Sequence, residues 1–291
     1  MGARIALAFL WLAHGLPLRL QVALGNAFGV LLHAVAGARR RVALRNIELC
    51  LPELDAAARA SLVREHFRWL GRSIVERGLL WYAPQARIQA LIEVDGDVHL
   101  AERIDTPVMW LVPHFMALEV AAAAVQLFQT RRGVTIYQAQ SDPVFDAAVR
   151  AGRQRFGGSE LFARSDGAKP LIRAIRQKRL GFFNLPDMDF GIKDAAFVPF
   201  FGVPAATLLA PSRMARMLGM TVQPVIAEML PGGGWRVRFL PPLANWPTND
   251  ALADTLRMNQ WIEAEVRRCP AQYLWVHKRF KTRPPGEAGV Y

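Results

Sequence analysis

His114 and Glu119, five positions apart, are the two residues of this chain whose types and setting best suit proton transfer. They stand in Pro107–Val120, PVMWLVPHFMALEV. Val108 to Val112 is an apolar run of strand length bounded by Pro107 and Pro113, and Ala117 to Leu127 is rich in Ala and Leu, a helix composition. On one continuous helix the two side chains would point about 140° apart, because each residue turns about 100°. They can meet only if His114 lies on a turn before the helix, and Pro113 supplies one. A carboxylate beside an imidazole fixes its tautomer and stabilises the imidazolium, which leaves the other ring nitrogen to take a proton from a hydroxyl. The competing reading is a satisfied histidine at a strand end and a solvated helix glutamate.

Three other clusters carry polar side chains that could act with this pair. Arg164 opens the segment RSDG before a helix, and its fork of donors suits a phosphate or a developing oxyanion; a loop arginine in a surface pair is the alternative. The segment NLPDMDFG, from Asn184, ends a strand. Its Asp187 and Asp189 would point the same way in an extended segment, to bind a metal, orient an arginine, contact substrate or shape the turn. Tyr273–Arg283, YLWVHKRFKTR, mixes Lys278, Arg279, Lys281 and Arg283 with aromatics, with Arg268 upstream, and suits an anionic surface or a solvated basic terminus. His66 reads as an ordinary surface or packing histidine in the polar part of its helix. His114 and Glu119 have no further partner at metal-site spacing, so no metal is expected.

The elements that must hold these residues follow from periodicity. Residues 42 to 82 read as helices, the longer one starting at Asp55, a suitable N-cap, with an apolar stripe of Leu62, Phe67, Leu70, Ile74 and Leu79. Beyond residue 120 strands alternate with helices. Strands are predicted at Val134–Gln138, Leu180–Leu185 and Phe197–Phe201. Helices are predicted at Pro143–Phe156, Ala168–Lys178, Ala205–Leu218 and Ala251–Arg268. Thr221–Met229 and Trp235–Leu240 read as paired strands about a Pro-Gly-Gly-Gly turn. The fold class is therefore α/β, with a mixed, largely parallel sheet covered by helices. A strand end feeding a helix is where such sheets hold ligands, which is where His114 falls.

Residues 5 to 38 are almost wholly apolar, with Arg19 the only charge, and the uncharged window Leu20–Ala38 is about as long as a hydrocarbon core is thick. Three readings stay open: a spanning anchor, an interfacial hairpin of two helices, or a hydrophobic helix packed on the domain. Membrane attachment is the expectation, and Arg39, Arg40 and Arg41 place the body in the cytoplasm and favour anionic headgroups. Domains are accordingly expected at 1–41, a membrane anchor, and 42–291, a catalytic domain. The net charge is +12 and half the residues are hydrophobic. Such a surface prefers phospholipid, a phosphorylated substrate or an acidic protein; a nucleic-acid partner is disfavoured by the apolar N-terminus and the lack of any nucleic-acid motif. Cys50 and Cys269 suit a reduced compartment and form no metal spacing.

In this order the pieces RRRVALRNIELCLPEL, REHFRWLGR, HFMALE, RQRFGG, the Asp187–Asp189 segment running into FVPFFGVPAAT, and CPAQYLWVHKRFKTRP resemble the bacterial lipid A biosynthesis late acyltransferases, from about Arg41 to Arg283. The resemblance implies a glycerol-phosphate acyltransferase-like fold with an H-x-x-x-x-D/E motif. It implies that an acyl chain moves from acyl carrier protein, a co-substrate, to the hydroxyl of a 3-hydroxyacyl chain on a lipid A precursor. No cofactor is implied, and the site would be the cytoplasmic face of the bacterial inner membrane. His114 would be the base and Glu119 its charge-balancing partner. Arg164 would stabilise an oxyanion or phosphate, and Asp187 or Asp189 would orient that arginine or the substrate. Ala117 and Asn184 depart from the family pattern, which commonly has a hydroxyl residue and an apolar or aromatic residue at these positions. Another acyltransferase of this fold, with a lysophospholipid, glycolipid or aminolipid acceptor, is the nearest alternative, and a non-catalytic lipid-binding protein is the alternative of another class.

Overall fold

A computed structural model describes residues 1–291, apart from the side chain of Lys178. Four helices open the chain: α1 (Gly2–His14), α2 (Leu18–Val35), α3 (Gly37–Cys50) and α4 (Ala56–Tyr82). Asp55 caps α4 as expected, accepting from the Ala58 N–H at 2.7 Å. Then come α5 (Gln85–Leu91), β1 (Ile92–Gly96), α6 (Leu100–Arg103), β2 (Val108–Leu111), α7 (Leu118–Leu127) and β3 (Gly133–Tyr137). They are followed by α8 (Pro143–Gln154), β4 (Glu160–Ala163), α9 (Ala168–Lys178), β5 (Gly181–Asn184), β6 (Ala195–Phe200) and β7 (Val203–Leu208). The chain closes with α10 (Ala210–Leu218), β8 (Thr221–Met229), β9 (Trp235–Phe239) and α11 (Ala251–Arg268).

The main sheet has seven strands in the order β1-β9-β8-β2-β5-β3-β4. Only β8 and β9 pair antiparallel; all other neighbours are parallel, as the alternating pattern requires. Strand β2 lies at its centre and is buried on both faces. Met109 and Leu111 pack with α9 and α11 through Leu171, Ile175 and Ile262. Val108 and Trp110 point the other way, towards Ile88 of α5, Val120 of α7 and Val149 of α8. This period-two split of one short apolar run divides the core into two layers and pins the register of the residue that follows β2, on which His114 depends.

Two expectations change. Residues 205–208, read as the start of a helix, belong instead to β7, which pairs antiparallel with β6 in a separate hairpin. Ala205 and Ala206 suggested helix, but the β-branched Val203 and Thr207 suit a strand. His66 is fully buried rather than in a polar face, and its Nδ1–H donates to the Ala271 carbonyl at 3.1 Å. Burial, only partly offset by that bond, pushes its pKa down to about 4. Helix α3 includes residue 41, the last residue of the segment expected to be a membrane anchor.

Candidate active site

His114 leaves β2 after Pro113, at the C-terminal edge of the sheet. Its neighbour β5 runs parallel to β2 with Leu111 opposite Asn184, and the next turn carries Asp187 to the same edge. The two residues meet there. His114 Nδ1 lies 2.7 Å from Asp187 Oδ1, and the His114 backbone N–H donates to Asp187 Oδ2 at 2.9 Å. A carboxylate that already accepts from a backbone N–H fixes Nδ1 as the second donor and leaves Nε2 with its lone pair. Asp187 is buried, and burial works to raise its pKa. The His114 charge and both hydrogen bonds outweigh that and bring it below the ordinary carboxylate value. A dry, ionised carboxylate is therefore fixed on the imidazole.

The C-terminal segment closes this centre. The Leu274 N–H donates to the His114 carbonyl at 2.9 Å, and Phe115 forms a β-bridge to Tyr273. A small pocket beside His114 and Asp187 is walled by Asn46, Tyr273, His277 and Arg279. Tyr273 is buried against Asp187, and burial followed by that negative charge raises its hydroxyl pKa. His277 is pushed down to about 4, first by burial and then by the charge of His114. Its neutral Nε2 accepts from the Asp189 N–H at 3.1 Å. Arg279 donates to the Ala206 carbonyl at 2.9 Å and Thr207 Oγ1 at 2.7 Å and lies over the Phe200 ring. Only 3% exposed, it is not part of a solvated basic terminus but an interior cation that helps hold Asp187 ionised.

Glu119, in the first turn of α7, does not provide the Nδ1 partner of His114; Asp187 does. Glu119 is gripped by Arg153 of α8, whose Nε lies 3.0 Å from Oε2. Burial raises the Glu119 pKa, but Arg153 by charge and hydrogen bond, then Arg77 and His114 by charge, bring it down to about 2. The pair stands in the lining of a partly open cavity between α7 and the sheet, whose other walls include Leu118, Ala122, Val125, Ile136 and Phe183. An ion pair facing an apolar hole is the arrangement expected for a long apolar ligand with a polar head.

Asp189 does not share the direction of Asp187. It accepts from the Gly191 N–H at 2.9 Å and from Thr282 through N–H at 2.6 Å and Oγ1 at 2.8 Å, which ties its loop to the C-terminal segment. Arg164 is exposed and stacks on the Phe190 ring at 3.8 Å, on the loop that follows Asp189. Among the described residues no group of three His, Cys, Asp or Glu converges as a metal site.

Compared with known proteins, residues 1–282 match the family model described as bacterial lipid A biosynthesis acyltransferase. The chain belongs to that family. It is 31% identical to the lipid A biosynthesis palmitoleoyltransferase of Escherichia coli K12 over 98% of this chain and 92% of that one. The lauroyltransferase of the same strain is 32% identical over 99% and 94%, and its myristoyltransferase 34% identical over 87% and 78%. In this lipid A biosynthesis acyltransferase, the structure gives His114 and Glu119, the two residues singled out in the sequence, each a partner from another element: Asp187 and Arg153. Arg153 was within reach of the sequence, as the first residue of the quoted RQRFGG. Asn46, Tyr273 and Arg279 likewise lie in the first and last of the quoted pieces, but nothing in their spacing shows that they converge.

Proposed function

We propose that this acyltransferase moves a fatty acyl chain from the thioester of acyl carrier protein to the hydroxyl of a 3-hydroxyacyl chain on a lipid A precursor. The observation that carries the reading is His114, its Nδ1 held by buried Asp187, next to a helix whose first turn fronts an apolar cavity. His114 Nε2 takes the proton of the acceptor hydroxyl as its oxygen attacks the thioester carbonyl carbon. The C–O bond forms, and the carbonyl electrons move onto oxygen. Collapse of this oxyanion breaks the C–S bond, and the departing thiolate takes the proton back from the imidazolium. Asp187 keeps the imidazolium favourable throughout. No covalent enzyme intermediate, metal or cofactor takes part.

The cavity between α7 and the sheet would take the acyl chain of the donor. Glu119 fixes Arg153 with Nε and Nη2, which leaves Nη1 for the oxyanion or a phosphate. Arg164, on its Phe190 platform, and the exposed arginines of a +12 chain suit the acceptor phosphates, the acidic carrier and the inner-membrane phospholipid. The apolar helices α1 and α2 would hold the enzyme at the cytoplasmic face of the inner membrane, beside its acceptor. The test is an assay of purified protein with acyl carrier protein or coenzyme A thioesters against a lipid A precursor, a lysophospholipid or an aminolipid. Transfer from the carrier thioester to the lipid A precursor alone supports the reading. Transfer to either other lipid in its place shifts the acceptor and keeps the chemistry.

A further inference from the structure

Helix α2 has its amphipathicity reversed. The face it turns to the protein carries Gln21, Gly25 and Gly29, all buried. The face it turns outward carries Leu20, Ala23, Ala27, Val30, Leu31 and Val35, all exposed. Helix α1 likewise exposes Ile5, Phe9, Trp11 and Leu12. A surface of this size and composition is unstable in water and suits hydrocarbon. By length and composition α2 could cross a bilayer. Its attachments argue otherwise.

The buried glycines bring α2 backbone to backbone with α4. A Cβ on Gly25 would lie 2.7 Å from the Arg72 Cα, and one on Gly29 would lie 2.6 Å from the Arg68 Cα. Small residues at such spacing lock helices together along their length. Both ends of α2 are held as well. At the α1–α2 turn, Arg87 of α5 donates to the His14 carbonyl at 3.0 Å and the Leu16 carbonyl at 3.2 Å, and Gln21 donates to the Leu16 carbonyl at 2.9 Å. The turn before β9 approaches Leu18, whose side chain a Cβ on Gly233 would strike. At the other end the chain passes into α3, whose Ala43 and Ile47 are core residues. A spanning α2 would put its two ends on opposite sides of the membrane. It would also draw Arg64, Glu65 and Arg68, exposed on α4 beside it, into hydrocarbon.

We infer that α1 and α2 form a monotopic wedge that enters a single leaflet of an anionic phospholipid membrane while remaining docked on α4. The inference rests on the membrane association proposed above. The exposed cations Arg19, before the apolar face, and Arg39, Arg41 and Arg45, after it, lie where lipid phosphates would meet the rim of the wedge.

The test uses the full chain with Cys269→Ser, buried Cys50 being left in place, and two variants of it that each carry one added cysteine. Gly15→Cys reports the α1–α2 turn and Asp105→Cys the exposed surface of the α/β body. Each is treated with a membrane-impermeant maleimide in right-side-out and inside-out vesicles from cells that make the protein. The expected result is that both positions react in the same vesicle orientation only. Reaction of Gly15→Cys in the opposite orientation from Asp105→Cys would overturn the wedge and leave membrane association standing. Flotation with vesicles of phosphatidylethanolamine and phosphatidylglycerol separates the two: wild type should float, and Leu31→Asp with Val35→Asp should stay behind with its activity on detergent-dispersed substrate unchanged. Failure of wild type to float would overturn both readings, and undiminished flotation of the double variant would overturn the wedge.

Discussion

At His114 the reactive nitrogen depends on what the other nitrogen is bound to. Asp187→Asn keeps the shape of that partner but replaces an acceptor-only carboxylate with an amide that can offer Nδ1 a donor, so the imidazole can settle in the tautomer whose Nε2 carries the proton. The expected outcome is a fall in kcat of about 10²- to 10⁴-fold with an unchanged melting temperature, read by steady-state kinetics and thermal unfolding. A kcat within about twofold of wild type would show that Asp187 only packs. Glu119 makes a different statement, about stability. Its pKa in the folded chain is about 2, well below the ordinary value of 4.5. A depressed carboxylate contributes stability that is complete above about pH 4.5 and is lost as pH falls towards 2. The melting temperature of Glu119→Gln should therefore lie below that of wild type at pH 7, and the gap should narrow below about pH 4.5 and close only as pH approaches 2. At this scale the sequence shows the reactive types but misassigns their partners. His114 and Glu119 are neighbours in the chain, whereas Asp187 is 73 residues from His114 and Arg153 is 34 from Glu119. Only the pairing of β2 with β5 and the packing of α7 on α8 bring them together.

On the proposed reading, the element that turns this chemistry towards a lipid chain is α7. One of its faces packs into the core through Val120, Ala121 and Ala124, and another lines the cavity through Leu118, Ala122 and Val125. Ala122→Leu adds three carbons to that wall. The expected outcome is a preference for a shorter acyl donor, with kcat/KM for the longest chain lowered at least tenfold and that for shorter chains little changed, measured across a series of acyl carrier thioesters. Equal losses for every chain length would mean that the chain lies elsewhere. Most elements could be read from periodicity and caps: Asp55, Asp142 and Asp250 each accept from the backbone at a helix start, and α9 and α11 have their expected limits. Strands β1, β4 and β7 could not. Their short runs carry mixed or partly exposed faces, so alternation alone does not distinguish them from loop or helix. The cavity could not be read either, because its walls come from α7, α8 and three strands that only the fold assembles.

For the molecule as a whole, the apolar N-terminus packs on the folded body. Leu10 of α1 packs with Leu79 and Leu80 of α4 in one core layer, and the His33 ring stands edge-on to Phe67 at 5.4 Å. Deleting residues 1–36 therefore uncovers the glycine-lined side of α4 as well as removing the apolar surface. The truncated chain should elute as aggregate, or unfold at a temperature lowered by at least several degrees, on size exclusion and thermal unfolding. A monodisperse product of wild-type stability would show that the hairpin is dispensable to the fold. Hydropathy reveals that these helices are apolar on their exposed side, but the glycine contacts that dock them depend on residues of α4 that are distant in the chain, as Arg72 is from Gly25 and Arg68 from Gly29.

The most direct test of the central claim is mass spectrometry of lipid A from cells lacking this protein, complemented by wild type, His114→Ala or Asp187→Asn. The expected result is the loss of one secondary acyl chain in the deletion strain, full restoration by wild type, none by His114→Ala, and at most a trace by Asp187→Asn although all three proteins accumulate equally. Restoration by His114→Ala would contradict the assignment of the base, and lipid A unchanged in every strain would contradict the assignment of the acceptor.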